Sequence, residues 1–419
     1  MRAAVWELAN QLGVVAATPG ELLSAALLTD ARRTVRVELP SPHPRDVTGL
    51  VDSLRTLGHL RVELGTRPSP AAGAARPAPF DLRDPAAVCA AGPLGVTAAY
   101  EAMADGDDHG GLRPAWLRAG QSLIRDQEPA ARALVLLAAL TDGADPRTRD
   151  TLKELAAGAD WSVRWSRARG DASAPWPGPV AALTTGGGRL LMADRLGTVR
   201  SLGAPGEGTP DRVTPGGPRV KALAALTDGR SGDPTLLLLD ERGRLHVRGA
   251  PAPRLVTAVA TTLERHPGTS LAVTAGAVVV GDRTGSVHAF GPQGLHQEAP
   301  HSGRVTALAA VDAPAPLVYS GGTDGTVRAW SPGGPALRDP IARRPYPVVA
   351  LHAAPTPTGP AVAVAWNDGL VALHRPGPGR RDGAARHFRP GPPVRALAVL
   401  PDGSLVVGTD EALVCLRPR

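Results

Sequence analysis

The sequence is poor in the residues that build several classes of protein. It contains only two cysteines, Cys89 and Cys415, and no Cys/His pair at a zinc-ligand spacing, which argues against a disulfide framework and against zinc. No stretch approaches the roughly 18 apolar residues of a transmembrane helix, and Glu7 and Asn10 interrupt the N-terminus where a signal peptide would lie. We therefore expect a cytoplasmic protein without a membrane span.

Lysine and aromatic residues are also scarce. Lys153 and Lys221 are the only lysines among 46 basic residues, and aromatic residues make up 3% of the chain. The abundance of arginine, glycine and proline is typical of a GC-rich genome, which lowers the weight of the net charge of +7. Because the arginines are scattered singly and stacking aromatics are few, nucleic-acid binding is disfavoured.

Motifs for catalysis and for cofactor binding are absent from the sequence. It has no G-x-x-x-x-G-K-[ST], no G-x-S-x-G and no H-E-x-x-H. Four residues of a Gly-rich loop are of the types that bind divalent ions: Asp105, Asp107, Asp108 and His109. Their spacing matches no known metal loop, so a solvated loop is favoured. We expect neither enzymatic activity nor a cofactor nor a bound metal.

The chain is organised around residues 319–330, YSGGTDGTVRAW. An apolar strand, a turn at Asp324-Gly325 and a strand ending in Trp330 predict a β-hairpin, because glycine tolerates positive φ. Weaker copies recur about every 43 residues, and five strands of the form Val-x-Ala-Leu precede such copies. The corresponding turn residues are Gly197, Gly243, Gly285, Gly325, Gly369 and Ala412. This period predicts a β-propeller of four-stranded blades.

On these residues the chain resembles the WD-repeat β-propellers. The likeness is greatest in the fourth copy, which contains the four residues of that family's buried hydrogen-bonding set: His301, Ser320, Asp324 and Trp330. The resemblance implies a chain of hydrogen bonds from the tryptophan indole through the hydroxyl and the imidazole to the carboxylate. Other copies depart from the pattern, since Phe290 replaces the tryptophan and Thr284 stands in the place of the aspartate.

The number of blades and their closure follow from the ends of the repeat region, residues 161–419. The last copy ends directly after its third strand, so its fourth strand must come from elsewhere. Residues 161–166, WSVRWS, precede the first copy and have the composition of a strand. We expect this strand to close a six-bladed ring, because closure removes the open sheet edge. Seven blades are the alternative, if another blade lies in the irregular stretch 250–276.

The region before the propeller divides into three parts. Residues 1–65 predict a small α/β segment, and residues 66–83 are a Pro/Ala linker. Residues 84–160 predict a bundle of helices, several of which begin with proline after an acidic residue.

This order of elements resembles the bacterial signal-transduction NTPases, which join a P-loop domain, a helical segment and a propeller. The resemblance implies that residues 34–65 are the remnant of an NTPase core. The sequence lacks the P-loop lysine and an acidic pair for magnesium, so nucleotide hydrolysis by this chain alone is not expected.

One face of the predicted propeller contains many arginines. In this topology, the turn after the second strand of each blade and the loop that enters the first strand lie on the same face of the propeller. The candidate binding residues on it are Arg195, Arg219, Arg242, Arg254, Arg283, Arg304, Tyr346, Trp366 and Asn367. Arginine pairs with carboxylates and stacks on planar groups, so the face suits an acidic peptide or protein segment. Surface arginine set by GC-rich coding is the competing interpretation.

Two functions are consistent with this sequence. The first is a non-enzymatic scaffold or sensor, in which the propeller binds a partner protein or an acidic peptide. The second is a regulatory, catalytically inactive relative of the signal-transduction NTPases that acts with another chain. Nucleotide binding by the isolated protein would separate the two.

Overall fold

The structure is a computed structural model. It describes residues 1–28, 33–40, 45–67, 80–103, 106–168, 179–202, 211–214, 216–226, 234–249, 253–274, 276–312, 315–334, 339–376 and 385–419. Most of the expected linker lies outside these residues, as does Asp105 of the Gly-rich loop. The chain divides into two compact units, Met1–Ser162 with Arg389–Pro393, and Val163–Phe388 with Val394–Arg419.

The first unit is largely helical. Its helices are α1 (Arg2–Leu12), α2 (Pro19–Leu27), α3 (Arg45–Arg55), α4 (Pro85–Ala90), α5 (Pro93–Ala102), α6 (Leu112–Leu123), α7 (Pro129–Ala139) and α8 (Pro146–Leu155). Strands β1 (Arg33–Pro40) and β2 (Leu60–Arg67) pair in parallel, and α3 connects them. None of the helices in the described ranges is long and apolar enough to cross a membrane.

Aspartate followed by proline marks two of the helix starts, in agreement with the sequence signal. The Asp84 carboxylate accepts the backbone N–H groups of Ala86 and Ala87 at 3.0 and 3.3 Å, at the start of α4. Asp145 accepts the N–H of Arg147 at 2.8 Å, at the start of α8. These bonds satisfy donors that have no partner within the helix, while proline at the next position has no N–H to satisfy.

A buried amide links the α/β part of the first unit to its helices. The Gln121 side chain of α6 donates to the Val14 carbonyl at 2.7 Å and to the Asn10 side chain at 3.1 Å. Its oxygen accepts the N–H of Ala16 at 3.0 Å. A core of α1, α3 and β2 residues lies beside it: Val5, Leu8, Leu12, Val47, Leu50, Val51, Leu54, Leu60 and Val62.

The second unit is a six-bladed β-propeller. The chain enters it through β3 (Trp161–Ala168). Blade 1 contains β4 (Val180–Gly186), β5 (Arg189–Asp194), β6 (Val199–Leu202) and β7 (Asp211–Thr214). Blade 2 contains β8 (Val220–Leu226), β9 (Thr235–Asp240) and β10 (Leu245–Arg248). Blade 3 contains β11 (Ser270–Val273), β12 (Val278–Gly281), β13 (Val287–Gly291) and β14 (Gly294–Glu298).

The remaining three blades follow the same order. Blade 4 contains β15 (Val305–Val311), β16 (Leu317–Gly322), β17 (Thr326–Trp330) and β18 (Ala342–Arg343). Blade 5 contains β19 (Val348–Thr356), β20 (Gly359–Trp366), β21 (Val371–His374) and β22 (Arg386–Phe388). Blade 6 contains β23 (Val394–Val399), β24 (Leu405–Thr409) and β25 (Ala412–Pro418), with β3 as its outer strand.

The ring closes in the way that the sequence predicted. Strand β3 lies beside β25, so a strand from before the first blade completes the last one. The Arg164 guanidinium of β3 reaches the Asp402 carboxylate and lies 3.3 Å from the Ser404 hydroxyl. Closure pairs an edge that would otherwise expose backbone donors and acceptors.

Blade 2 differs from the others because a helix follows its third strand. Helix α9 (Arg254–Arg265) lies in the stretch 250–276, where the sequence left room for a seventh blade. Its residues Val256, Val259 and Leu263 are buried against Leu245 of blade 2 and Leu271 of blade 3. The seven-blade alternative is therefore wrong, and this stretch was irregular because an amphipathic helix interrupts the pattern of strands.

Candidate binding face and central channel

A single face of the propeller is built from β-turns and from the segments before the first strands; we call it the turn face. In blades 1 to 4, the turn after the second strand bonds to the segment that leads into the next blade. The N–H groups of Gly268, His301 and Arg344 donate to the carbonyls of the turn glycines Gly243, Gly285 and Gly325, at 2.9, 3.3 and 3.0 Å. The turn glycines of the first five blades have positive φ, as predicted. Successive blades are thus joined at this face.

An aspartate holds each turn in blades 1 to 3, three residues before the glycine. Asp194 accepts the N–H groups of Leu196 and Thr198, both at 2.9 Å. Asp240 and Asp282 bind their turns in the same way, and each also bonds to a histidine of the third strand, at 2.9 and 3.0 Å. From the sequence, this aspartate was expected directly before the glycine, where blade 3 has a threonine. The recurring spacing D-x-x-G in blades 1 to 3 would have identified the correct aspartates.

Three of the four residues of the buried set in blade 4 form a hydrogen-bonded chain. The His301 ring lies 2.9 Å from the Ser320 hydroxyl through Nε2 and 3.1 Å from the Asp324 carboxylate through Nδ1. A carboxylate only accepts, so Nδ1 carries a proton and donates it to Asp324. Burial acts to raise the pKa of Asp324, but hydrogen bonds from His301 and Thr326 outweigh it and hold this pKa well below its ordinary value.

Trp330, the fourth residue of that set, makes a different bond from the one that the resemblance implied. Its indole N–H donates to the Gly334 carbonyl at 3.0 Å rather than to Ser320. The turn after β17 brings this carbonyl close to the ring, and Gly333 in that turn has a φ of 84°. The side chain itself is buried, with 3% of its surface exposed.

The hydrogen-bonded chain has the order of a serine-hydrolase triad: Ser320, His301 and Asp324. A substrate, however, has no access to its serine. Ser320 is 2% exposed, and the residues that line the propeller's cavity do not include it. A nucleophile must reach a substrate carbonyl, which a hydroxyl enclosed between strands does not. We assign this chain of hydrogen bonds to the stability of blade 4.

Two of the predicted arginines of the turn face are paired with acidic side chains. Arg195 lies 2.8 Å from Asp410, and Arg219 lies 3.8 Å from Glu241. Asp410 also pairs with Arg395 at 2.7 Å. These charges are compensated within the propeller, so they contribute little attraction for an anionic partner.

Three other arginines of the turn face have no such compensation. Arg242, Arg283 and Arg304 are exposed, and none forms an ion pair with a residue that the structure describes. Arg242 and Arg283 lie in the turns of blades 2 and 3, and Arg304 precedes the first strand of blade 4. The N–H of Val305, next to Arg304, donates to the carbonyl of Asp282, next to Arg283, at 3.0 Å. This bond places the backbones of those two arginines side by side.

Of the two predicted aromatic residues near blade 5, Trp366 is buried and Tyr346 is half-buried. Trp366 is 2% exposed, and its indole N–H donates to the Gly325 carbonyl at 3.2 Å. Tyr346 is half-buried, and the Arg344 guanidinium lies 5.3 Å from the centre of its ring and 5.5 Å from that of Trp366. Arg344 also pairs with Asp368 at 2.6 Å. Trp366 is an inward-facing residue at the end of a strand.

Asn367 and Arg254 complete the predicted residues. Asn367 is half-buried in the turn of blade 5, where its N–H donates to the Pro347 carbonyl at 2.9 Å. Arg254 does not lie in a loop that enters a first strand, because it is the first residue of α9. Arg265, at the other end of that helix, is eleven positions further along the chain, a distance of about 16 Å. The structure therefore separates Arg254 from the turn face.

The six first strands surround a central channel with a cavity of about 190 Å³. In β4, β8, β15, β19 and β23 a β-bulge falls directly after the first valine of the strand. The residues at the bulge, and the aligned residue of blade 3, line the cavity: Ala181, Lys221, Thr269, Thr306, Val349 and Arg395. A bulge leaves its extra residue unpaired and redirects that side chain. Small residues at most of these positions keep the channel open.

Two hydroxyls at this level of the channel fasten neighbouring blades. Thr269 of blade 3 donates to the Val305 carbonyl at 2.6 Å, and Thr306 of blade 4 lies 2.6 Å from the Val348 carbonyl. Each acceptor belongs to the next blade. The polar groups of these two positions are thereby satisfied within the ring.

Lys221 is the channel residue whose charge is least compensated. It forms no ion pair with a described residue, and its side chain is partly buried. Burial, together with the charges of Arg304 and Arg283, lowers the pKa of Lys221 to about 8, and Glu241 opposes the shift. The sequence analysis recorded Lys221 only as one of two lysines. The Val-x-Ala-Leu pattern identified its strand but not the bulge that turns this residue toward the channel.

The other ionisable residues of the channel are neutral or paired. Burial lowers the pKa of His352 to about 4, so its ring is uncharged near pH 7, and Nδ1 accepts the N–H of Val399 at 3.1 Å. Arg395 is paired with Asp410. Positive charge without a partner is thus concentrated on the side of the channel mouth that blades 2, 3 and 4 form.

The Gly-rich loop of the first unit uses its acidic residues to hold its own backbone. Asp107 accepts the N–H of His109 at 3.1 Å, and Asp108 accepts that of Gly110 at 3.0 Å. Arg83 also donates to Asp107 at 2.9 Å. Within the described ranges, no group of three or more His, Cys, Asp or Glu side chains is placed to hold a metal ion.

Solved structures of other proteins are similar to part of this chain, whereas sequence comparisons give no match. No protein-family model and no curated protein matches the sequence. Among solved structures, the WD40 β-propeller domain of Doa1 is similar at 11% identity, covering 62% of this chain and 97% of its own, with a TM-score of 0.41. The computationally designed protein Ika8 is similar at 20% identity, covering 57% of this chain and 71% of its own, with a TM-score of 0.36.

Proposed function

We propose that this chain is a non-enzymatic scaffold or sensor whose propeller binds an acidic segment of a partner protein on the turn face. The observation that carries the proposal is the group of uncompensated cations on the turn face, Arg242, Arg283 and Arg304, of which Arg283 and Arg304 act on Lys221 at the channel mouth. Clustered charge of one sign raises the local concentration of an oppositely charged partner and favours its association.

The rigidity of the turn face supports the same function. Aspartates fix the turns of blades 1 to 3, and backbone bonds join each turn to the next blade. A preformed surface loses little conformational entropy when it binds, so more of the interaction energy appears as affinity. Arginine side chains on such a support can pair with successive carboxylates of an extended segment.

The cysteines agree with a cytoplasmic location for this scaffold. Cys89 and Cys415 are both buried and unpaired, and burial raises the pKa of each thiol to about 12. Thiols with such pKa values are poor nucleophiles, which accords with a protein that does no cysteine chemistry.

Charge reversal on the turn face should weaken binding of an acidic probe. We expect the full chain to bind a fluorescein-labelled peptide of eight glutamates at low salt. Changing Arg242, Arg283 and Arg304 together to glutamate should weaken this binding by roughly 10- to 100-fold, because each change removes one attraction and adds a repulsion of about 0.5 kcal/mol or more. Fluorescence anisotropy measures the affinity.

The matched control is the double change Arg189→Glu and Arg254→Glu. Both arginines are exposed residues of the propeller, one at the start of β5 and the other at the start of α9. This variant should bind the peptide within about threefold of the unchanged protein, because surface charges at a distance are screened. Equal losses in the two variants would mean that only the total charge matters, and would overturn the assignment to the turn face.

A second candidate function rests on the parallel β1–α3–β2 arrangement of the first unit. Parallel strands joined by a helix are the repeating element of nucleotide-binding α/β domains. An inactive relative of the signal-transduction NTPases that acts with another chain would retain such a segment. Titration calorimetry with ATP and GTP tests this candidate, and the absence of any binding by the purified chain would count against its simple form.

A further inference from the structure

The channel mouth offers a more specific site than the turn face as a whole. Lys221, Arg283 and Arg304 come from three successive blades. Lys221 lines the cavity together with Thr306, two residues after Arg304, and the Val305 N–H donates to the carbonyl of Asp282, next to Arg283. The charges of the two arginines also act on the lysine. No described carboxylate is paired with any of these three cations. An anion that belongs to another molecule can therefore bind between them. This inference rests on the proposed function, since the anion must come from a bound partner.

The size of the cavity indicates what that anion is. A cavity of about 190 Å³ lies below the roughly 300 Å³ from which small-molecule pockets begin. The walls at the bulge level, such as Ala181, Thr269 and Val349, are short or apolar. These dimensions suit one side chain that enters along the axis from a segment lying across the turn face. We propose that an acidic segment of the partner inserts one side-chain carboxylate into the channel mouth between Lys221, Arg283 and Arg304, and that Lys221 takes up a proton on binding.

The proton uptake follows from the charges that face Lys221. Arg283 and Arg304 oppose its protonation, while Glu241 is the acidic residue that favours it. Of the other ionisable residues along the cavity, Arg395 is already paired with Asp410, and His352 is neutral near pH 7. An added carboxylate at the mouth favours the charged ammonium. The pKa of Lys221 is therefore higher in the complex than its value of about 8 in the free protein.

The direction of the pH dependence is fixed by this shift. Below about pH 7 the lysine is protonated in both states, so affinity does not change with pH. As pH rises through 8, the free protein loses the proton while the complex keeps it, and binding must then take up a proton from solution. Affinity should fall by about tenfold between pH 7 and pH 9, at constant ionic strength.

The test uses the full chain and the labelled octaglutamate peptide at pH 7, 8 and 9. The unchanged protein should lose about tenfold in affinity over this range. The Lys221→Arg variant should bind at pH 7 but show no such loss, because a guanidinium stays charged. The Lys221→Met variant should bind at least threefold more weakly at pH 7 and should also be flat. A Lys153→Arg variant should behave as the unchanged protein.

The outcomes separate this inference from the proposed function. If the peptide binds with no dependence on pH, or if Lys221→Met binds as well as the unchanged protein, the carboxylate does not lie at the channel mouth and the inference is wrong. Loss of binding in the Arg242, Arg283 and Arg304 variant would still uphold the turn face in that case. If the unchanged protein does not bind the peptide at any pH, both proposals are overturned.

The two-lysine composition allows an independent readout. Reductive methylation with ¹³C-formaldehyde labels Lys153, Lys221 and the N-terminal amine of Met1, and two of the resulting NMR signals belong to the lysine side chains. Addition of the unlabelled peptide at pH 8 should move the Lys221 signal toward its protonated position and leave that of Lys153 in place. Movement of both signals or of neither contradicts the inserted carboxylate.

Discussion

Replacing Trp330 with alanine should destabilise the propeller by about 3 to 5 kcal/mol, the range for a large buried aromatic side chain. Trp330 is 3% exposed and packs among apolar residues of two blades, including Val287 of blade 3 and Leu308 of blade 4. Its removal leaves a cavity at the interface between the blades, and it also leaves the Gly334 carbonyl without its indole donor. Urea unfolding followed by circular dichroism measures the change.

The control for this prediction is an exposed apolar residue of the same propeller. Leu295 in β14 is 53% exposed, and its change to alanine should alter stability by less than about 0.5 kcal/mol. A Trp330→Phe variant separates packing from the hydrogen bond, because phenylalanine fills much of the space but has no N–H. It should lose about 1 to 2 kcal/mol. Equal effects of Trp330→Ala and Leu295→Ala would contradict the buried position of Trp330.

Replacing Gly325 with alanine should have an effect of similar size for a different reason. The φ of Gly325 is +75°, and an added Cβ would lie 1.9 Å from the Arg344 carbonyl and 2.7 Å from that of Tyr346. Both atoms belong to the backbone segment that leads into blade 5, so they cannot move aside as a flexible side chain would. We expect a loss of about 3 to 5 kcal/mol, because the contact between the turn and the next blade must open.

Gly188 provides a closely matched control. Its φ is +74°, and an added Cβ would meet no atom within 4 Å. The change Gly188→Ala therefore measures the cost of the left-handed backbone alone, about 1 to 2 kcal/mol. If both alanine variants lose the same amount in urea unfolding, the turn of blade 4 does not abut the next blade as described.

Much of the propeller could be predicted from the sequence because its turns need particular residues. A glycine with positive φ recurs in the turn after the second strand of each of the first five blades, so the period in the sequence equals the period in space. The closing strand β3 could be predicted because the third strand of the sixth blade needs a partner at its outer edge, and residues 161–166 have the composition of a strand. Helix α9 was missed although Val256, Val259 and Leu263 have helical spacing, because the stretch 250–276 was interpreted as irregular, with a seventh blade as the alternative.

Fewer residues of the binding site could be predicted from the sequence, because the site depends on the direction in which each side chain points. Arg254 and Trp366 lie at the positions that the repeat assigns to the turn face, but one begins a helix and the other turns inward. The position of Lys221 in the channel could not be predicted because it depends on a β-bulge. The bulge changes the alternation of inward- and outward-pointing side chains along the strand, and it has no sequence signature of its own here. The pairing of Arg195 with Asp410 joins blades 1 and 6, which are far apart in the sequence. Compensated and uncompensated arginines therefore look alike in the sequence.

The measurement that tests the scaffold function most directly is affinity capture from a native lysate with the full chain, read by mass spectrometry. The unchanged protein and the Arg189→Glu, Arg254→Glu control should retain the same partner protein, and that partner should contain an acidic segment. The variant with Arg242, Arg283 and Arg304 changed to glutamate should release it, while its thermal unfolding stays that of the control. Retention of the same proteins in equal amounts by all three would contradict the account.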